Sequence, residues 1–398
     1  MKAMRPVLTS IGSTGDIQPI IALAHGLRGR GHRPVLALSP NFKTRAESLG
    51  FDYVKIGPAL DPAEMKGVVT TMLTMPDLSD QVRHFFDIVK PAIPQLFHEL
   101  KEVCRDADVL LSTPHQFTGR MVHDSTGIPF VSIHLSPFGM AGNKAIRDVS
   151  APVINESRSA ENLAPLYDPL GGDGVSSQLA LYAVSRHLMR LPHNAPETMR
   201  VTGFFYHDEE DWKPSDELSN FINAGDPPIV ITFGSVAHQD PAALSEVLFA
   251  AVKRAGCRAV IQRGWSGLVK TETPANILAV DFIPHRWLFA NVRCVVHHGG
   301  AGTTAAAFRA GVATVVVTHN LDQPMWGELA RALGCAGAVI PYHKLDAQNL
   351  GDALTKVLGS PRYSVAAGRV AEKIKTEGGV KQACELIDRL LNRDRRDP

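Results

Sequence analysis

One pattern occurs three times in this chain and restricts what it can fold into: a short apolar run broken by glycine, a helix-spaced stretch, then a second apolar run. Residues 7–11 stop at Gly12, Ser13, Thr14, Gly15 and Asp16. Ile17, Ile20, Ile21, Ala24 and Leu27 follow at helical spacing, and residues 35–38 come after Gly29 and Gly31. Residues 229–233 break at Gly234 and Ser235, continue as a helix over 241–255, and end in the run 259–262. The third copy passes from Val296 through His297, His298, Gly299, Gly300 and Gly302 into a helix at about 303–309 and a strand at 313–317. Each copy reads as strand, turn, helix, strand, the opening of a parallel α/β sheet.

The third copy carries the most chemistry. A glycine-rich turn that opens a helix presents unpaired N–H groups and the positive end of the helix dipole, which suits a phosphate, and the two histidines can add donors. The strand that follows runs into His319, Asn320, Asp322 and Gln323, whose donors and acceptors suit hydroxyl groups. Ligands of open α/β sheets bind outside the carboxyl ends of the strands, so both turns are expected to open into one crevice. Phosphate beside polyol points to a nucleotide sugar. The competing account is a tight turn of the kind found in any α/β domain.

A chain of 398 residues favours two or more domains. With 41 basic and 40 acidic residues the net charge is +1, so nucleic acid is not an expected partner. The five cysteines are scattered and lack CxxC spacing, which fits a reducing, cytoplasmic setting better than disulfides or zinc. No apolar run approaches ~20 residues and the first residues lack a leader pattern, so neither membrane span nor signal peptide is expected. A dinucleotide dehydrogenase is disfavoured: its GxGxxG turn is missing after the first run, and the second ends in Ser39 and Pro40 rather than an acid. No cluster of histidines and carboxylates suggests a metal.

Asp16 has two readings, a helix N-cap or a carboxylate aimed at the cleft from the end of the first strand. His115 and His134 follow the apolar runs 109–112 and 130–134, where they would border an acceptor pocket and serve as fallback bases. Met65, Met72 and Met75 lie in an aperiodic stretch, either acceptor lining or loop. Residues 139–178 read as a long flexible loop. Residues 179–189 resume as helix or strand, and a helical stripe over 179–191 would pack in the core or touch a membrane surface.

Together, VHHGGAGTTAAAFRAG, LDQPMWG, FIPHRWLF and the opening GSTGDIQPIIALAHGLRGRGH resemble a large inverting glycosyltransferase family. That family, part of the UDP-glycosyltransferase superfamily, includes sterol glucosyltransferases, glycopeptide-antibiotic glycosyltransferases and rhamnolipid rhamnosyltransferases. The likeness is strongest at residues 7–40 and 229–345 and weakest at 60–200. It implies an α/β fold of two Rossmann-like domains facing across a cleft, called GT-B. An acceptor-binding domain over 1–205 would be joined by a linker, 206–228, to a nucleotide-sugar domain over 229–375, with a last helix at 376–398 returning to the first domain.

The resemblance also implies roles. Asp16 would be the general base. Ser235, His298, Gly300, Gly302 and Thr303 would hold the diphosphate, leaving His297 structural. Phe282 would stack on the base, the backbone at Ile283 would read its edge, and His285 would lie near the ribose. Asp322 and Gln323 would bind hexose hydroxyls. The chain departs from the family pattern at Ala313 and Thr318, where relatives carry proline, and places His319 and Asn320 near the sugar. The implied reaction moves a hexose from a UDP- or dTDP-sugar, with UDP-glucose the leading candidate, to a hydroxyl of an apolar acceptor of sterol, polyketide, flavonoid or lipid type. The nucleotide sugar is then a co-substrate, with no cofactor and no metal, and the protein a monomer or homodimer. The alternatives are a nucleotide-sugar epimerase and a non-catalytic nucleotide-sugar-binding helper.

Overall fold

The computed structural model describes residues 3–59, 61, 64, 67–68, 71–72, 75, 77–137, 143–208, 212–234, 236, 238, 240–264, 267–269, 272–319 and 321–393. Contacts divide the chain into two units, one of residues 1–68, 74–207 and 377–398, the other of 69–73 and 208–376.

The first unit holds a seven-stranded sheet of β1 (Pro6–Thr9), β2 (Val35–Leu38), β3 (Asp52–Lys55), β4 (Val109–Ser112), β5 (Phe130–His134), β6 (Leu179–Tyr182) and β7 (Met199–Val201). Its order is β3-β2-β1-β4-β5-β6-β7, with every pairing parallel. Parallel strands are covered on both faces, so they read as unbroken apolar runs; β1, β2, β4, β5 and β6 are buried at every position. Leu8 pairs with Leu36 on one side and Leu111 on the other. The helix Thr14–Gly29 lays Ile17, Ile20, Ile21 and Leu23 against that layer.

The C-terminal helix Gly379–Arg393 completes this core with Ala383, Cys384, Ile387 and Leu391. It approaches the helix Thr14–Gly29 closely at Gly26, where an added Cβ would stand 2.3 Å from Val380 Cγ1. Asp388 pins the packing. Its Oδ1 is 2.8 Å from His32 Nε2, its Oδ2 accepts from Arg30 Nε at 2.7 Å, and Asp388 and His32 are both buried. Removing one partner of a buried charged network leaves the others uncompensated, so Asp388→Ala is expected to cost about 3–5 kcal/mol. Urea unfolding would read it as a lower midpoint.

The second unit repeats the plan with six strands: β8 (Ile229–Thr232), β9 (Ala259–Gln262), β10 (Ile277–Val280), β11 (Cys294–His297), β12 (Ala313–Thr318) and β13 (Ala336–Pro341). Their order is β10-β9-β8-β11-β12-β13, again all parallel. In both sheets the strand order reverses beside the first strand, between β1 and β4 and between β8 and β11. That is where the loops leave the carboxyl ends in opposite directions and a crevice opens.

Three expectations change. The stretch 139–178 contains the helix Lys144–Ala160, capped by Asn143 Oδ1, which accepts from the Ala145 N–H at 3.1 Å. Ile146, Val149 and Ile154 pack with Val82, Phe86 and Phe117. Its apolar period is hard to read because Ser150 and Arg158 are also buried, the latter against Asp124 at 2.8 Å. Residues 179–182 form the buried strand β6 and 183–191 follow as turns and irregular chain, with Met189 and Leu191 packed against the β6 cluster, so no helical stripe forms and the membrane-surface reading gives way to core packing. Within 206–228 lies a helix, Asp216–Asn223, whose Leu218 and Ile222 pack with Val230, Val260 and Leu288 of the second unit.

Candidate active site

In the first unit the loops after β1 and β4 are tied together. Ser10 Oγ and Thr113 Oγ1 are 2.8 Å apart, and Gln116 Nε2 donates to Thr9 Oγ1 at 3.2 Å. The helix that follows β1 is capped by Ser13, and Asp16 stands at its third position as the reciprocal half of a capping box. Asp16 Oδ2 accepts from the Ser13 N–H at 2.8 Å. Its Oδ1 points the other way and lies 3.9 Å from His115 Nδ1, with the two side chains 28% and 39% exposed. One oxygen is therefore structural and the other is presented beside an imidazole. Gly12 makes this possible: its φ is +141° and an added Cβ would stand 2.2 Å from Asp16 Oδ2.

His134 closes β5 in a different setting. It is buried, stacked on Tyr182 at 4.5 Å, and lines a cavity of about 10 Å³ with Ser112, Gln116, Arg120 and Ser132. A space of that size holds about one water. Desolvation lowers its pKa to about 4, which makes it a weak base.

In the second unit β11 ends at His297, which is fully buried and whose Nδ1 accepts from the Gly299 N–H at 3.1 Å. His297 therefore shapes the turn. His298 is the residue placed over the helix start. An added Cβ at Gly300 would meet its Nε2 at 2.3 Å, and one at Gly234, after β8, would meet its Cε1 at 3.0 Å. The two glycines leave the slot that the ring fills. Gly300 is the N-cap of the helix Ala301–Ala310, which has no side-chain cap. Thr304 Oγ1 turns back to Gly300 O at 2.9 Å, and Thr303 is buried. At Gly302 an added Cβ would meet nothing within 4 Å. An uncapped helix start beside open space and an imidazole is built to take an anion.

The neighbouring turn is pressed against this one. Gly299, with φ +86°, leaves no room for a Cβ, which would stand 2.9 Å from Gln323 O. Gln323 Oε1 accepts from the His319 N–H at 2.8 Å, and Asp322 Oδ2 accepts from Trp326 Nε1 at 2.9 Å. Ile283 is buried with its carbonyl accepting from Gln262 Nε2 at 3.0 Å, while Phe282 is 67% exposed. His285 stacks on Phe289 at 4.5 Å. Ser235, Asn320 and Trp265 lie outside the described residues. The roles of Gly234 and Trp326 were missed in the sequence; the four-residue step from Asp322 to Trp326 on a helix was the available signal.

Desolvation lowers His285 and His298 to about 4 and His297 to about 3, so the site is neutral imidazole at pH 7. With His134, these groups refuse protons that the unfolded chain accepts below the ordinary value of about 6.5. Their contribution to stability is complete above pH 6.5 and is lost as pH falls toward 4. The apparent Tm is expected to drop steadily from pH 7 to 4.5 at constant salt. A flat profile would mean that the folded chain protonates these rings.

Two parallel sheets of this order, each with polar turns at its switch point, define the GT-B fold. Residues 7–141 match the glycosyltransferase family 28 N-terminal domain, and residues 255–387 match the C-terminal domain of erythromycin biosynthesis protein CIII-like proteins. The chain belongs to the GT-B glycosyltransferases that combine these two domains. It is 30% identical, over 98% of its length, to a sterol 3-beta-glucosyltransferase of Arabidopsis thaliana, spanning 66% of that protein. It is 28% identical to the O-mycaminosyltylonolide 6-deoxyallosyltransferase of Streptomyces fradiae, covering 97% of each. A glycosyltransferase of Streptomyces sp. SF2575 solved with thymidine diphosphate matches with TM-score 0.71 and 20% identity over 97% of this chain and 99% of that one. The chain spans about two thirds of the plant relative and 30% of a fungal one. Among the described residues no helix is long and apolar enough to cross a membrane.

Proposed function

We propose that the chain transfers a hexose from a nucleoside diphosphate sugar to a hydroxyl of an apolar small molecule of sterol, polyketide, flavonoid or lipid type, with inversion at the anomeric carbon. The observation that carries this reading is the slot between Gly234 and Gly300, which holds the neutral His298 imidazole over an uncapped helix N-terminus. As the glycosidic bond breaks, the diphosphate gains charge, and donors fixed in advance stabilise it without reorganising. Asp16 Oδ1 takes the acceptor proton, because an alcohol is a poor nucleophile at pH 7 and a positioned base raises its rate by ~10²- to 10⁴-fold. His115, 3.9 Å away, is placed to share that charge. In this reading no metal takes part; the likeness to a sterol 3-beta-glucosyltransferase and to an O-mycaminosyltylonolide 6-deoxyallosyltransferase supports the acceptor class.

The test is nucleoside diphosphate release from UDP-glucose and dTDP-glucose, with and without a panel of hydroxylated apolar acceptors, in EDTA. Acceptor-dependent release with an inverted product is the expected result. Binding of the donors without release in any combination would sink the transferase reading, and loss of release in EDTA would sink its metal-free form.

A further inference from the structure

Four rings gather at the end of β12. His319, the residue after Thr318, stacks on Tyr342 with centroids 4.6 Å apart and planes at 21°. Phe233 meets it edge-on at 5.7 Å, and His238 lies 5.2 Å away. Behind them His238 is wholly buried and sits 5.1 Å from Tyr342. The backbone N–H of His319 donates to Gln323 Oε1 at 2.8 Å, which ties the backbone below this ring to the Asp322–Gln323 turn.

Both ring nitrogens of His319 are out of contact with water and make no well-formed hydrogen bond among the described residues, with the Val317 backbone and the Gln323 side chain close by. Stacking does not satisfy an N–H, and a phenyl ring would fill the same space without that cost. A ligand that supplies the missing bonds accounts for imidazole here. The residue keeps part of its surface open, and rotation about χ2, a soft torsion, turns a nitrogen toward whatever lies on the turn. Desolvation, with His238 and His298 nearby, holds the ring neutral. It then offers one donor and one acceptor, the complement of an alcohol, which can accept one bond and donate another.

We infer that His319 is a specificity-determining residue that reads a hydroxyl of the donor sugar, so that the enzyme prefers a fully hydroxylated hexose to the corresponding deoxyhexose. The inference rests on the transferase reading for its substrate. A site built to bond a hydroxyl rejects the analogue lacking it because its own polar groups stay unpaired. Tyr342 and Phe233 flank the ring, and His238 backs it.

The experiment compares the full chain with His319→Phe and His319→Gln, using nucleotide-glucose and its 2-, 4- and 6-deoxy counterparts on one nucleotide. Both kcat/KM for transfer and equilibrium binding by calorimetry are measured. At one sugar position the parent is expected to favour the hydroxylated donor by about 100-fold. His319→Phe should lose at least about tenfold of that ratio through weaker use of the hydroxylated donor, and His319→Gln should retain most of it. Thermal unfolding confirms that the phenylalanine variant is folded. An unchanged ratio in His319→Phe, with transfer intact, overturns the inference alone. If the parent binds donors but transfers nothing, the transferase reading fails, and the calorimetric ratios still decide whether His319 reads a hydroxyl.

Discussion

Replacing Asp16 with asparagine is expected to lower kcat by about 10²- to 10⁴-fold, the share of rate that a positioned base supplies. Asparagine is a clean probe at this position. Its carbonyl can still accept the Ser13 N–H that Oδ2 accepts at 2.8 Å, so the capping box and the helix start survive. What disappears is the ionisable oxygen facing His115. Steady-state kinetics at saturating donor should show the loss in kcat, with donor KM and Tm close to the parent values. Asp16→Ala also removes the reciprocal half of the capping box and should add about 1 kcal/mol of destabilisation. If asparagine retains more than a tenth of the rate, Asp16 is a capping residue and the base must be sought at His115.

Gly300→Ala should be nearly as damaging, by a different route. The new Cβ would stand 2.3 Å from His298 Nε2, too close for both to keep their places. Either the imidazole leaves its slot or the turn shifts, and in both cases the diphosphate loses donors set in advance. Losing one such donor typically costs 10²- to 10³-fold in rate, so kcat/KM for the donor is expected to fall by about that factor. Gly302→Ala is the control for folding. Its Cβ would meet no protein atom within 4 Å, so stability should hold while binding of the free nucleoside diphosphate weakens. Should calorimetry show unchanged nucleotide binding in both variants, the helix start at Ala301 is not the phosphate site.

Much of this architecture could be read from the chain itself. The strands β1, β8, β11 and β12 are buried on both faces, and such strands appear as continuous apolar runs, which glycines follow after β1, β8 and β11. The helix Lys144–Ala160 could not be read, because its buried face includes Ser150 and Arg158, polar residues that hide the period. Arg158 is tolerable there because Asp124, 34 positions earlier, and the Ala164 carbonyl meet it.

The sequence determined the order of strands and turns and which chemical groups each turn carries, since local spacing and glycine placement are local physics. Tertiary structure alone decided how those groups are used. It split Asp16 between a cap and a presented oxygen, and it made His297 a turn-former by burying it. It also enclosed His298 between glycines 66 positions apart, Gly234 and Gly300, and set His319 on Tyr342. These outcomes depend on which distant segment arrives beside a side chain, and a buried polar group's role follows from that neighbour rather than from its own spacing.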